Sequence, residues 1–461
     1  MNDDHEVSHA QRKLWIIDRF RPGTAVYNVP LIYAVDGDLD VAALEGALSE
    51  VVRRHEVLRT VYRIRAGTVR QVVRPAETVN VPVEDVSGHA DPGTTPDADR
   101  EADPDAEARR RAVAEGRRPF DLAAGPVIRP LLLRTAPTRH HLCLTLHHIA
   151  CDGGSLQILE RELSACYRAA RRGEPSGLSP LDEQYADFAA WQTARLTRTR
   201  TGPLIDHWRA HLAGVPAPAT LPADRERPAF QGVFGGHVRF TVEPEVTDRM
   251  VTLAKACRAT PFAVLLAVYA ALVRLRGGTD AVIGVPVTSR QRESHHRMIG
   301  MFVNTLVHRV DVTGHPTFEE LVHRARDESR RAMAHQAVPF DLLVDELKPV
   351  RDPAFNPVFQ LMLGYQEMAQ EEGAAQADGG AGRGLTLSGC AVRGEFGDTA
   401  TAKADLSLTV TRSGKGCSGR LEYNADLFEA ATARDIAEQF RGILATGTAD
   451  PQFRLWEPGR A

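Results

Sequence analysis

The stretch Thr145-Leu146-His147-His148-Ile149-Ala150-Cys151-Asp152-Gly153-Gly154-Ser155 brings two imidazoles, a carboxylate, a thiol and a hydroxyl close together in the chain. Imidazole is the side chain whose ordinary pKa lets it take and return a proton near neutral pH, so general-base chemistry is the first to consider. The preceding run, Leu142-Cys143-Leu144-Thr145-Leu146, alternates large apolar and smaller side chains as a strand entering a core does. Two glycines then precede a helical pattern that opens at Ser155. The histidines therefore stand at a strand end, beside a tight turn. Successive side chains on a strand point to opposite faces, so if the strand continues through them, His147 and His148 cannot both look into one cavity. At most one is then the working imidazole.

Other chemistries fit less well. A metal site is not expected: the two histidines are adjacent, no His-Glu-x-x-His occurs, and His295-His296 falls in a polar loop. Serine hydrolysis calls for Gly-x-Ser-x-Gly, and Ser155 lacks the second flanking glycine. Phosphate-cradling glycine motifs are missing as well. Cys151 reads as the small side chain a turn needs rather than as a nucleophile. Taken alone, the motif is either a histidine pair holding a turn by hydrogen bonds or a turn that presents a base.

A chain of 461 residues, 43% hydrophobic, has material for two domains or three small ones. Its N-terminus, Met1-Asn2-Asp3-Asp4-His5-Glu6, has no basic or apolar signal region. No apolar run reaches about eighteen residues, so a globular, cytoplasmic protein away from membranes is expected. Six cysteines without a Cys-x-x-Cys pair argue against a disulfide framework and a zinc ribbon. The net charge of -4, with bases dispersed among acids, leaves no electrostatic footprint for nucleic acid. Nothing in the sequence bears on oligomeric state.

The elements that must position the motif follow from periodicity. A short helix is expected near residues 8–15, a strand at 27–35, a helix at 40–54 capped by Asp40, and short strands up to Val83. The span 87–106, rich in Asp, Pro, Gly and Thr, reads as an exposed loop. Strands at 126–135 and 139–147 lead into the motif, and the helix after it runs to Arg172. Gly173-Glu174-Pro175-Ser176-Gly177-Leu178-Ser179-Pro180 is the best linker signal and divides the chain into 1–176 and 177–461. In the second part, helices are expected near 182–197, 203–213, 245–258, 260–275, 317–335, 339–346 and 430–446. Strands are expected near 236–242, 279–286, 357–365, 385–393, 404–412 and 418–424, with a loop at 367–384.

The motif has the form His-His-x-x-x-Asp-Gly, and with it the chain resembles the condensation domains of nonribosomal peptide synthetases, within the chloramphenicol-acetyltransferase-like acyltransferases. The likeness extends beyond one motif. Ser8-His9-Ala10-Gln11 through Trp15 and Arg54-His55-Glu56-Val57-Leu58-Arg59-Thr60 resemble the family's first two motifs. Tyr185-Ala186-Asp187-Phe188-Ala189-Ala190-Trp191-Gln192 and Ile299-Gly300-Met301-Phe302-Val303-Asn304-Thr305 resemble its fourth and fifth. His335-Gln336-Ala337-Val338-Pro339-Phe340-Asp341 and Arg351-Asp352 through Asn356-Pro357-Val358-Phe359-Gln360 resemble the last two, in order.

The resemblance implies an α/β (α+β) fold of two acetyltransferase-like lobes in a V-shaped pseudo-dimer, with a central tunnel. A donor acyl or aminoacyl group would arrive as a thioester on the phosphopantetheine of an acyl or peptidyl carrier protein, and a small-molecule acceptor would enter from the other mouth. No cofactor is bound by the chain itself. Of the residues, the resemblance gives His148 the chemistry, as base or as a positioning group, and leaves His147 as its structural partner. Asp152 pairs with Arg290, tying the lobes together. Gly153 is needed where the chain turns close to substrate, and Gly154, Ser155, Met301 and Asn304 belong to the tunnel.

Relatives commonly carry tryptophan after Asp-Gly; Gly154 here implies a wider acceptor side and a bulky or non-amino-acid acceptor. Met1 lies just before the first motif and no adenylation, carrier or docking domain follows the last helix, so a free-standing enzyme is expected. Such enzymes join carrier-bound amino acids to alcohols or amines, as in enediyne antibiotic pathways. The alternatives are an amide-forming domain of a modular synthetase, an epimerisation domain, and a non-catalytic recruitment platform, against which the intact motif argues. The heterocyclising branch, with aspartate for the histidines, does not fit.

Overall fold

The computed structural model describes residues 4–88, 103–215, 220–278, 280–349, 352–368, 384–414, 416–454 and 456. The first part runs β1 (Asp4–Glu6), α1 (His9–Phe20), β2 (Asn28–Gly37), α2 (Val41–Arg54), β3 (Thr60–Arg65), β4 (Thr68–Val73), β5 (Val83–Asp85), α3 (Pro104–Arg117), β6 (Ile128–Ala136), β7 (Arg139–His147), α4 (Gly153–Arg172) and α5 (Tyr185–Arg195). It continues with α6 (Arg198–His211), β8 (Gly235–Val242), α7 (Pro244–Ala256), α8 (Pro261–Leu275), β9 (Ala281–Thr288) and β10 (Val303–Val310). Then come α9 (Phe318–Ala334), α10 (Phe340–Leu347), β11 (Leu361–Met368), β12 (Cys390–Phe396), β13 (Leu406–Ser413), β14 (Gly416–Asn424) and α11 (Ala430–Ala449).

The strand that delivers the histidines, β7, is central in a five-stranded sheet of order β12-β2-β7-β6-β5. Leu142, Leu144 and Leu146 point to one face and pack with Leu44 and Leu48 of α2 and Leu159 of α4. Cys143 points to the other, where Ile32, Leu131 and the small side chains Ala108 and Ala112 of α3 meet it. Burying each of those leucines contributes roughly 1.5–3 kcal/mol, which pins the strand register and with it the position of its last residue. Helix α2 starts where expected, Asp40 accepting the N–H of Ala43 at 2.9 Å; α4 starts at Gly153, two residues before the expected Ser155, with Asp152 as its cap. The latter ends at Gly173, whose φ of 65° is the left-handed conformation that suits glycine at a helix end.

The helix α3 lies partly within the span expected to be a loop, of which residues 89–102 fall outside the described ones. Asp103 caps it by accepting from the N–H groups of Asp105 and Ala106, and Pro104 opens it. Its buried face is Ala108, Ala112 and Gly116, too small to register as apolar periodicity. Residues 369–383 of the second expected loop are likewise outside the description.

The described chain forms two compact units, Met1–Arg195 with Arg290–Phe302 and Gly373–Thr399, and Leu196–Ser289 with Val303–Glu372 and Ala400–Ala461. A contiguous division at 176/177 differs from this partition in two respects. The helix α5 stays with the first unit, and two later segments join it. One is β12, which extends the first sheet by pairing antiparallel to β2, from Cys390 against Gly37 to Phe396 against Leu31. The other is the segment 290–302, described with the site.

A buried histidine clasps β12. His141 of β7 is 3% exposed, with Nδ1 3.2 Å from Glu395 of β12 and Nε2 3.3 Å from Asp105 of α3. Burial disfavours its charge, but the two carboxylates, Glu395 foremost, outweigh that and raise its pKa above the ordinary histidine value. A raised pKa stabilises the fold while the ring is protonated, so the contribution is complete below the ordinary value and is lost as pH climbs through the raised one. Asp105 and Glu395 are both lowered, so their share is present above the ordinary carboxylate range. We therefore expect amide exchange in β12 to quicken, beyond the intrinsic rate increase, as pH rises above the ordinary histidine value, and His141→Gln to remove that extra dependence. An unchanged profile in the variant would mean the clasp carries no charge.

The second unit is built on a six-stranded mixed sheet, β10-β9-β11-β13-β14-β8, in which β9, β11 and β13 run parallel. The helix α8 is apolar all round and packs against α7, α9 and α11, which explains its composition. Among the described residues no single helix is long and apolar enough to cross a membrane; the bent pair α7 and α8 passes that test only jointly.

Candidate active site

Strand β7 ends at His147, so the two histidines leave the backbone in different conformations. His147 accepts the N–H of Ile149 on Nδ1 at 3.1 Å, which caps a 3₁₀ turn over His148–Ala150. Its ring is 4% exposed and meets Phe120 edge-on at 5.8 Å between centroids. Phe120 in turn lies 3.7 Å from the Arg129 guanidinium. His147 is thus walled in by the structure that ends the strand.

His148 is only half-buried. Its backbone N–H donates to the carbonyl of Tyr27 at 2.8 Å, and the Tyr27 ring stands edge-on to the imidazole at 6.4 Å. Its Nδ1 lies 2.8 Å from the carbonyl oxygen of Cys151. A carbonyl only accepts, so Nδ1 carries the proton and the neutral ring has its basic lone pair on Nε2. The tautomer is set before any substrate arrives. Cys151 acts here through its backbone; its thiol is buried and donates to the carbonyl of His147 at 3.6 Å.

The next residue holds the turn in place. Asp152 is 3% exposed, and its Oδ1 accepts from the Ser155 N–H at 2.7 Å and from Arg290 at 3.0 Å, while Oδ2 accepts the Phe302 N–H at 3.0 Å. Arg290 also donates to the carbonyls of His295 and Met298, and its guanidinium lies 4.0 Å from the Phe302 ring centroid. Expected to tie two lobes, the Asp152–Arg290 pair lies within the first unit. What it ties is α4 to the segment 290–302.

Ser155, expected along a tunnel, is 0% exposed. Its hydroxyl oxygen is shared among Asp152, Arg290 and both backbone groups of Gly300, so it is part of the same lock. Gly153 has no positive φ, and among the described residues nothing beyond its chain neighbours and its own helix backbone lies within 4 Å of where its Cβ would be, so the turn itself does not require glycine there. Gly154 is exposed, and a Cβ would lie 3.3 Å from Nε of Arg290. Met301 is half-buried, and its carbonyl accepts from the Tyr185 hydroxyl at 2.6 Å. Asn304 belongs to the second unit, where its amide bonds the backbone of Thr305, Gln336, Val338 and Phe340.

Three supporting residues were not singled out from the sequence, although each lies in a stretch already noted. Tyr185 also bonds Ser8 at 2.8 Å, and burial pushes its hydroxyl well above the ordinary tyrosine value. Gly300 approaches that ring so closely that a Cβ would fall 1.9 Å from it. His55 accepts the Ile299 N–H on Nδ1 at 3.3 Å and bonds Glu162 at 2.8 Å through Nε2. His295, placed in a polar loop by sequence, is instead fully buried. Its ring stands edge-on to Phe188 and Trp191, both at 5.1 Å, and burial lowers its pKa to about 4.

Comparison with known proteins completes the picture. The family model described as "Condensation domain" matches residues 1–458. The chain is 40% identical over 440 residues to phosphinothricin tripeptide synthetase PhsB of Streptomyces viridochromogenes, covering 95% of this chain and 35% of that protein. It is 37% identical over 460 residues to phosphinothricin tripeptide synthetase PhsC of the same organism, covering 98% of this chain and 40% of that one. It thus spans well under two thirds of these relatives. Among solved structures, the X-domain from teicoplanin biosynthesis superposes with a TM-score of 0.85 at 28% identity, covering 97% of this chain and 96% of that one.

Proposed function

Because the chain belongs to the condensation domain family, with its chloramphenicol-acetyltransferase-like α/β fold, we propose that it transfers an acyl or aminoacyl group from a carrier-protein thioester to an acceptor nucleophile. The observation that carries this reading is the bond from His148 Nδ1 to the Cys151 carbonyl, which leaves Nε2 as a proton acceptor on a half-buried ring. A thioester carbonyl is already activated, so alignment of the nucleophile and removal of its proton are what the protein must add. As the acceptor nitrogen or oxygen bonds to the carbonyl carbon, Nε2 takes its proton. The carbon–sulfur bond breaks, the phosphopantetheine thiolate leaves, and the proton passes from Nε2 to sulfur. The products are an amide or ester and a free thiol.

The acceptor in this reading is an amine, because the relatives that match over nearly the whole chain are peptide synthetases. The donor brings its own phosphopantetheine, and no cofactor of the chain's own enters the balance. Gly154, exposed one residue into α4, is the position at which acceptor size would be read. A Gly154→Trp variant is expected to raise KM for bulky acceptors about tenfold, leaving the donor KM and the melting temperature unchanged. A parallel loss for small and large acceptors would mean that the ring only displaces Arg290.

The direct test follows product by mass spectrometry after mixing the protein, aminoacyl thioesters on carrier proteins, and matched amine and alcohol acceptors on one scaffold. Amide formed faster than ester supports the peptide-bond reading; ester formed faster moves the enzyme to alcohol acceptors such as those of enediyne pathways. No turnover with any acceptor would leave a recruitment role.

A further inference from the structure

Away from the histidine motif, the second unit brings Cys257, Glu319 and His323 together, with one ligand atom of each within 4.8 Å of the other two. We propose that these three side chains form a binding site for a zinc-class divalent cation. The fold builds the juxtaposition from two directions. Cys257 caps the C-terminal end of α7 and lies 1% exposed near the start of α9. Thr317 caps α9 with a reciprocal bond to Glu320, which fixes its first turn. Glu319 and His323, four residues apart, then share one face of that helix, 3.9 Å from each other.

A thiolate, an imidazole and a carboxylate are a donor set that suits zinc or cobalt, and three protein ligands leave a fourth position for water. Bonds of roughly 2.0–2.3 Å put the ligand atoms of a tetrahedral site closer together than they lie here, so binding must draw them inward. The side chains able to move are Glu319 and His323, 37% and 39% exposed, which also provide the way in for the ion. Burial, and after it the Glu319 carboxylate, hold the Cys257 thiol above its ordinary pKa. Cation binding therefore displaces a proton, and affinity rises with pH.

The groups around the site include a competitor. Arg326 donates to the Cys257 carbonyl at 2.8 Å and to Nδ1 of His323 at 3.0 Å, and its Nε holds Asp327. With Nδ1 accepting from the guanidinium, the neutral ring has its proton on Nε2, facing Glu319. A cation on Nε2 shifts that proton to Nδ1, so the guanidinium must let go of the ring while keeping its bonds to Cys257 and Asp327. Gln452 also donates to the second oxygen of Glu319, leaving the first for the ion.

The test is titration of the purified chain with Co²⁺, read by the thiolate-to-cobalt absorption band, and with Zn²⁺, read by melting temperature. One equivalent of Co²⁺ giving the band, and a Zn²⁺-dependent rise in melting temperature, are expected. Cys257→Ser should abolish the band and weaken Zn²⁺ binding at least about tenfold, as should His323→Ala. Arg326→Gln should tighten binding about tenfold by removing the nearby positive charge. No thiolate band, or one of equal strength in Cys257→Ser, would overturn the site; affinity unchanged in Arg326→Gln would overturn the guanidinium's part in it.

Discussion

Replacing His148 by alanine is expected to lower kcat by roughly 10²–10⁴-fold while leaving the melting temperature within a degree or two of the parent, because a general base at this position would be worth that much and the ring is only half-buried. The expectation rests on the Cys151 carbonyl, 2.8 Å from Nδ1, which leaves Nε2 able to receive a proton. Two roles fit that geometry: a base that takes the proton, and an acceptor that merely aligns the nucleophile by a hydrogen bond. His148→Gln separates them, since its amide oxygen accepts a hydrogen bond but cannot take a proton near neutral pH. If His148 is a base, the glutamine variant falls with the alanine variant, and in the parent kcat/KM declines as pH drops and the imidazole protonates. If it only positions, glutamine retains much of the rate and the acid limb of that variant comes from the acceptor amine alone, whereas the parent keeps an imidazole limb in either role, since a protonated ring can no longer accept. Full activity in His148→Ala would remove the residue from the reaction. His147→Ala should give the opposite pattern, since it removes the acceptor of the Ile149 N–H: lower stability, with kcat per folded molecule little changed.

The sequence made the local parts of this arrangement legible. A strand with leucines every second residue and an aspartate ahead of a helical period are signals written in neighbouring residues, and β7, α2 and α4 follow them. Helix α3 was illegible because a buried face of two alanines and a glycine carries little hydrophobic contrast. Strand β12 was read as a strand, but its partner β2 lies some 350 residues earlier in the chain, and no local pattern announces a pairing at that separation.

The site shows the same division. That the two histidines diverge was legible from strand alternation; the structure adds that β7 stops between the two, which makes the divergence sharper than alternation alone. Ser155 and Gly153 were less legible, because a resemblance marks a position without saying whether its side chain faces substrate or protein. Ser155 faces Asp152, Arg290 and Gly300, whereas Gly153 meets nothing among the described residues beyond its own turn and helix. His295 sits in a polar stretch, yet the rings of Phe188 and Trp191, about a hundred residues earlier, enclose it. Among the described residues its Nε2 has no hydrogen-bond partner, and the rings around it are at most weak acceptors for an N–H.

The largest stability effect is expected at Asp152 and Arg290. Their side chains are 3% and 6% exposed, and each is bonded to groups beyond the other: Asp152 to the Ser155 and Phe302 N–H groups, Arg290 to two carbonyls. Asp152→Ala leaves a guanidinium buried without its carboxylate, at a cost of about 3–5 kcal/mol, and removes the cap of α4, worth about 1 kcal/mol more. Arg290→Met should cost about 3–5 kcal/mol for the converse reason, a buried carboxylate without its cation. The two losses should not add: in the double variant neither charge is stranded, so the cycle should return a coupling of about 1–3 kcal/mol, measured as urea unfolding of the first unit by a local probe. Additive losses would mean that the pair's worth lies in its separate backbone bonds. Activity discriminates further, because Asp152 follows Cys151, whose carbonyl orients His148. Asp152→Asn keeps Oδ1 for the Ser155 N–H and for Arg290, and with it the helix cap, but loses the negative charge and the acceptor of the Phe302 N–H at Oδ2. If the cap alone holds the Cys151 carbonyl in place, this variant loses stability yet keeps its kcat per folded molecule. If the charge on Asp152 or its bond to the Phe302 N–H is what holds it, kcat falls together with stability, and restoring the fold with a stabilising osmolyte does not bring it back.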